Sequence, residues 1–234
     1  MAAPTNQASK PRIFGVYKPV GPTSHDIVNR IRRVTGEKRV GHAGTLDPLA
    51  CGVLVVAVGR ESTKQLQAIV ESEKEYVAGV RIGQGSTTDD AEGDKSDGPI
   101  IDPPSVETIN EVLQKFVGEI EQVPPAYSAI KVGGKTAYKM ARKGQALELR
   151  ARTVLIKEIE LLGCEWPELS IRVVTGPGTY IRSLARDIGE ALGTKAYMSS
   201  LERTRVGQFR KEDAIPVEEI MMLSSSSLEE YLKN

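Results

Sequence analysis

Histidine and cysteine are scarce in this chain, and long apolar runs are missing. Of its 234 residues, two are histidine and two are cysteine. Cys51 and Cys164 lie far apart and make no Cys-x-x-Cys pair. With only His25 and His42 to join them, no zinc site is expected. The count allows a disulfide, but nothing in the pattern demands one. No stretch approaches the ~20 consecutive apolar residues of a membrane span. The N-terminus is polar and rich in small residues, without the apolar core of a signal peptide. Residues 1–11 therefore read as a disordered tail, and the chain as a cytoplasmic protein with no membrane association. There is no glycine-rich dinucleotide fingerprint. Gly133-Gly134-Lys135-Thr136 looks like the end of a phosphate-binding loop, but that motif needs a glycine where Ala129 stands. A calcium loop begun at Asp90 would put Lys95 where the sharp-turn glycine belongs. No metal and no cofactor is expected.

Net charge is missing too: 31 basic residues balance 31 acidic ones. A chain of zero net charge that binds nucleic acid must segregate its charges. Arg30, Arg32, Arg33, Lys38 and Arg39 cluster in one stretch, and Pro124 to Arg152 carries seven Lys or Arg against one acid, Glu148. The acids gather elsewhere, at Asp89, Asp90, Glu92, Asp94 and Asp97, and again at Glu218, Glu219, Glu229 and Glu230.

What is present centres on Gly41-His42-Ala43-Gly44-Thr45-Leu46-Asp47-Pro48-Leu49-Ala50-Cys51-Gly52. Gly41 and Gly44 permit backbone angles that other residues avoid. Pro48 biases Asp47 away from the helical region. Asp47 is thus expected on a stiff, irregular loop leading into the apolar run Val53 to Val58, a strand buried on both faces. A lone carboxylate so placed can be presented to a ligand. The plainer reading is that Asp47-Pro48 only starts a turn.

Taken in order, Arg12 to Tyr17 reads as a strand ending at the rigid turn Lys18-Pro19-Val20-Gly21-Pro22. Ser24 reads as the N-cap of a helix with core face Ile27, Ile31 and Val34 and with Arg30 and Arg33 opposite, ended by Gly36. Glu61 to Val70 reads as a helix, Tyr76 to Ile82 as a strand, and Thr87 to Asp102 as a polar acidic loop. Ser105 caps a helix with core face Ile109, Val112, Leu113 and Phe116. Tyr127 to Val132 reads as a strand, Gly133-Gly134 as a tight turn and Thr136 to Lys143 as a short helix. Val154 to Leu162 and Leu169 to Thr175 read as antiparallel neighbours. Thr179 caps a helix buried along Ile181, Leu184, Ile188 and Leu192, with Arg182 in its first turn, off that stripe. Arg205 to Phe209 is a last strand, and Val217 to Leu223 a short amphipathic end. Strands and helices mix without strict alternation, so the fold class is α+β with a mixed, mostly antiparallel central sheet flanked by helices.

Lys18-Pro19, Gly44-Thr45-Leu46-Asp47-Pro48-Leu49-Ala50, Glu73-Lys74-Glu75-Tyr76 and Gly178-Thr179-Tyr180-Ile181-Arg182, in this order and spacing, resemble the TruB family of tRNA pseudouridine synthases. The resemblance runs from about Phe14 to Phe209. It implies a catalytic domain over 12–215 with an RNA-gripping insertion near 124–152, followed by a short helical tail over 216–234 in place of the usual PUA-type domain. It implies isomerisation of the T-loop uridine at position 55 of tRNA, by a chain that acts as a monomer on the T-stem-loop with no protein partner. Asp47 would be the nucleophile, kept ionised by Arg182. Tyr76 would stack on the flipped base and place its hydroxyl where a proton is accepted. Lys18 and Pro19 would support the active loop, His42 would help extrude the nucleotide, and Leu201 would pack near the base. Lys131, Lys135, Lys139, Arg142 and Lys143 would grip RNA. Two departures stand out: Gly176-Pro177 precedes Gly178 where Ser or Lys is common, and Glu202 stands where Arg is common.

Two other readings compete. A non-catalytic RNA-binding or RNA-folding protein on the same scaffold would not need Asp47, Tyr76 and Arg182 together. A serine hydrolase built from Ser24, His42 and Asp47 would need a Gly-x-Ser-x-Gly elbow that Ser24 lacks.

Overall fold

The structure, a computed structural model, describes residues 12–128, 131–132, 135–136, 140 and 149–222. The chain runs through β1 (Arg12–Lys18), α1 (Ser24–Thr35), β2 (Val40–Ala43), β3 (Cys51–Val58), α2 (Arg60–Thr63), α3 (Leu66–Val70), β4 (Lys74–Ile82), β5 (Gln84–Ser86) and β6 (Lys95–Asp97). It continues with α4 (Val106–Gln114), β7 (Gly118–Gln122), β8 (Lys131–Val132), β9 (Lys135–Thr136), β10 (Arg152–Glu165), β11 (Glu168–Thr175), α5 (Ile181–Ala191) and β12 (Ala196–Val206). It ends with β13 (Phe209–Arg210), a 3₁₀ turn at Lys211–Asp213, β14 (Ile215–Pro216) and α6 (Val217–Met222). Two compact units divide it: residues 1–70 with 206–234, and residues 71–205.

In the first unit, β1 pairs antiparallel with β3 and parallel with β14, and β2 pairs antiparallel with β3. Val53 to Val58 are all at most 1% exposed, as a strand covered on both faces requires. Full burial of each Val or Leu side chain in the run contributes roughly 1.5–3 kcal/mol. Ala43, Val53, Val55 and Val206 form a core that Ile13, Leu66, Ile69 and Val70 close from the side. Ile27 and Ile31 bury one face of α1, and Gly36 ends the helix in the left-handed conformation, φ +67°. The N-cap is Thr23 rather than Ser24: its hydroxyl accepts from the Asp26 N–H and the Asp26 carboxylate accepts from the Thr23 N–H. Glu61 to Val70 is broken into α2 and α3 rather than forming one helix.

In the second unit, β4, β11, β10 and β7 form an antiparallel run, with β12 beside β4. The helices α4 and α5 pack on β10, β4 and each other, burying Ile109, Leu113, Leu184 and Ile188. Ser105 caps α4 as its type and position suggest, accepting from the Thr108 N–H. The Thr87 to Asp102 stretch is not merely a loop, since it contains β6, which pairs with β5 just before it. The cap of α5 is Tyr180, not Thr179, whose hydroxyl turns back to the Gly176 carbonyl. The pairings are mixed and mostly antiparallel, and the class is α+β. No helix among the described residues is long and apolar enough to cross a membrane.

Candidate active site

The Asp47 loop joins β2 to β3, and its backbone is held from three sides. Lys18, at the end of β1, is fully buried. Its ammonium donates to the carbonyls of Ala50 at 2.6 Å, Pro19 at 2.9 Å and Pro48 at 3.5 Å. A buried ammonium is costly unless its three N–H groups find acceptors, and two of the three found here, the Pro48 and Ala50 carbonyls, follow Asp47 in the loop. The Gly21 N–H also donates to the Pro48 carbonyl, at 2.8 Å. Ser24, 2% exposed, donates to the Leu46 carbonyl at 2.9 Å and accepts from the Leu46 N–H at 2.8 Å. Leu46 and Ala50 are buried on either side of the half-buried Asp47. The Ala50 N–H closes a turn onto the Asp47 carbonyl at 3.1 Å, with Asp and Pro at the positions such a turn favours. The plainer reading of Asp47-Pro48, a turn, is therefore present in the structure. Gly44 has φ +83°, which side chains disfavour, whereas a Cβ at Gly41 would lie 2.8 Å from Leu66 Cδ1, the end of a side chain that would have to shift. His42 lies on β2 opposite Val56, half-buried.

The Ser24 hydroxyl is thus committed to fixing the residue before Asp47, and is no hydrolase nucleophile. Ser24→Ala orphans a buried N–H and C=O at Leu46, each worth about 1–3 kcal/mol when unsatisfied. The expected result is faster amide exchange at Leu46 and slower turnover, with RNA affinity kept. Wild-type turnover in Ser24→Ala would remove the hydroxyl from the site.

Arg182 belongs to the second unit. It is only 7% exposed, so it does not lie on an open helix surface. Its guanidinium donates to Asp90 Oδ2 at 3.2 Å, to the Thr88 carbonyl at 3.4 Å and to the Tyr127 carbonyl at 3.0 Å. Asp90, 2% exposed, also accepts from the Thr88 hydroxyl and the Glu92 N–H. One turn along α5, Arg186 pairs with Asp89 at 2.8 Å; burial raises the Asp89 pKa against the pull of Arg186 and Arg182. The acidic cluster therefore divides: Asp90 serves the buried Arg182 and Asp89 the half-buried Arg186, while Glu92, Asp94 and Asp97 are exposed. The start of α5 is pinned by Gln122, 1% exposed, whose side-chain amide accepts from the Tyr180 N–H at 2.8 Å and donates to the Tyr180 carbonyl at 3.1 Å.

Tyr76, 7% exposed, lies on β4 opposite Val173. The buried Arg203 of the neighbouring strand β12 hydrogen-bonds its hydroxyl. A guanidinium cannot accept, so the phenolic oxygen does. Burial lowers the Arg203 pKa. Burial first, then Arg203, pushes Lys74 down to about 8. Leu201 and Glu202 are half-buried on β12.

Asp90, Gln122 and Arg203 carry no local sequence signal for the contacts they make, and Ser24, read as an N-cap, holds Leu46 instead. Lys131 lies in β8 and Lys135 in β9, and the two strands pair antiparallel, so Thr136 lies in a strand rather than at the start of the expected short helix. Lys139, Arg142 and Lys143 lie outside the described residues. Cys51 and Cys164 form no disulfide with one another.

Known proteins are similar to this chain in sequence and in fold. The family profile described as TruB family pseudouridylate synthase (N terminal domain) matches residues 32–181, and one described as tRNA pseudouridylate synthase B C-terminal domain matches residues 182–234. A protein named tRNA pseudouridine synthase B from Phocaeicola vulgatus is 48% identical over 207 residues, covering 86% of this chain and 88% of that one. One of the same name from Mycobacterium bovis is 42% identical over 225 residues, covering 94% and 75%. Among solved structures, a chain of a Cbf5-Nop10-Gar1 complex superposes with a TM-score of 0.71 at 36% identity, over 90% of this chain and 53% of that one, about half its length. With one profile spanning well over half of the sequence and relatives this close over most of their length, the chain belongs to the TruB family of pseudouridylate synthases.

Proposed function

We propose that the uridine isomerised by this tRNA pseudouridine synthase is the T-loop uridine at position 55, and that Asp47 is the nucleophile. The observation that carries this reading is the Asp47 loop, whose backbone is fixed at Leu46, Pro48 and Ala50 by Ser24, Gly21 and Lys18. Preorganisation of that kind suits a reacting group.

The reaction breaks the bond between C1′ of the sugar and N1 of uracil, turns the base, and forms a bond from C1′ to C5. The C5 proton leaves and N1 takes one up, so nothing is gained or lost. Asp47 adds to the anomeric carbon or to the base in the first step and departs in the last. Tyr76 offers a ring on which the extruded base stacks and a hydroxyl for proton transfer. Arg203 fixes the direction of that hydroxyl. Arg182 supplies fixed positive charge, oriented by Asp90. Lys18 positions the loop and contacts no substrate.

The test is chemical derivatisation of pseudouridine in whole tRNA after incubation, followed by mass spectrometry, because isomerisation itself leaves mass unchanged. The adduct is expected in the T-loop at position 55; an unmodified T-loop would defeat the reading. Tyr76→Phe keeps the ring and removes the hydroxyl. It is expected to slow single turnover far more than it weakens RNA binding, and a wild-type rate would reduce Tyr76 to a stacking platform.

A further inference from the structure

We propose that the face of α1 bearing Arg30 and Arg33 is a binding site for one backbone phosphate of the RNA substrate, next to the Asp47 loop. The inference rests on the reading of the chain as a tRNA-modifying enzyme. A cavity of about 420 Å³ is lined by Gly21, Pro22, Asp26, Asn29, Arg30 and Arg33. Its rim is tied to the Asp47 loop, because the Gly21 N–H donates to the carbonyl of Pro48, the residue after Asp47.

The arginines of this chain do not all have the same task. Arg172 pairs with Glu75, Glu158 and Glu160, Arg182 with Asp90, Arg186 with Asp89 and Asp187, and Arg205 with Glu73. Arg32, between the two arginines in question, is internal: it donates to Asn29 Oδ1 and to the Val40 carbonyl, pinning the start of β2. Arg30 and Arg33 have no hydrogen-bond or ion-pair partner among the described residues. Three apart on a helix, they point the same way. Asn29 joins them, because its Oδ1 is occupied by Arg32, leaving its amide N–H₂ as the donor side. The carboxylate on the rim, Asp26, is engaged by the Thr23 N–H at 2.9 Å and the Thr23 hydroxyl at 2.6 Å. Its charge acts on Arg30 through space, so the cavity keeps an excess of one positive charge.

Two guanidinium forks, an amide donor and net positive charge fit a phosphate diester, which accepts paired N–H bonds in the geometry that Arg presents. A merely solvated helix face would show the same exposure, so the experiment must separate the two. Arg30→Gln/Arg33→Gln is compared with wild type by fluorescence anisotropy on a T-stem-loop across a salt series, then on the same RNA carrying single neutral methylphosphonate linkages. The double variant is expected to bind about tenfold more weakly and to lower the salt slope by about 0.7 to 0.9, as loss of one phosphate contact does. Its melting temperature and its single-turnover rate at saturating RNA stay at wild-type values, since neither side chain holds the fold or reacts. Wild type loses affinity when one particular linkage is neutralised, and the double variant does not lose it again there. An unchanged salt slope, or the same linkage sensitivity in both proteins, overturns the site. If wild type still modifies the T-loop in that case, only this inference fails; if it does not, the functional reading fails with it.

Discussion

Asp47→Asn is expected to lower the single-turnover rate about 10⁴-fold or more, as deletion of a covalent catalyst does, while T-stem-loop affinity stays near wild type. The substitution is isosteric, and the bonds from Ala50 N–H to Asp47 O, from Gly21 N–H to Pro48 O and from Lys18 to the Pro48 and Ala50 carbonyls are made to backbone atoms that it leaves in place. The loop therefore survives, and only the nucleophile is lost. No second carboxylate lies between Gly41 and Gly52 to take its place. A variant that keeps more than a tenth of normal turnover, about 1.4 kcal/mol of barrier, would defeat the assignment.

The pair Arg182–Asp90 carries the second large effect. The two side chains are 9% and 3% exposed. Removing one partner of a buried pair strands the other's charge and costs about 3–5 kcal/mol, a large part of the roughly 5–15 kcal/mol that holds a typical domain. Arg182→Met and Asp90→Asn are each expected to lower the urea midpoint sharply and to abolish turnover. The double variant Arg182→Met/Asp90→Leu is expected to regain much of the stability, because an apolar pair can replace a buried ion pair, yet to remain inactive. That split separates holding the fold from serving the reaction. A stable double variant with wild-type turnover would show that the Arg182 charge has no part in the chemistry.

Features whose cause is local were legible in the sequence. The run Val53 to Val58 reads as a doubly covered strand because nothing polar interrupts it. Gly36 and Ser105 end and begin helices through their own backbone and side-chain chemistry. The irregular loop at Asp47 was legible for the same reason, from Gly44 with its positive φ and from Pro48, whereas Gly41 lies within β2. What was missed depends on distant partners. Thr23 and Ser24 are both good caps by type; Leu46, 22 residues away, decides that Ser24 does something else. Asp90 sits in a run of acids, and only Arg182, 92 positions on, draws it inside. The same contact buries an arginine that helical spacing places off the apolar stripe. In β12, Arg203 stands among Glu202, Thr204 and Arg205, a pattern without the alternation that marks a strand, and its burial follows from Tyr76 on the neighbouring β4. In β7 the residues Gly118-Glu119-Ile120-Glu121-Gln122 hold a single apolar side chain, so pairing with β10 rather than composition makes it a strand.

The most direct test of the central claim follows the hydrogen on C5. When that carbon becomes the point of attachment to the sugar, its hydrogen must pass to water. A T-stem-loop labelled with tritium at C5 of the position-55 uridine is mixed with excess enzyme. Wild type is expected to release one tritium per RNA, and Asp47→Asn to release none above background over the same time. Retention of the label by wild type, or release by Asp47→Asn at the wild-type rate, would contradict the account.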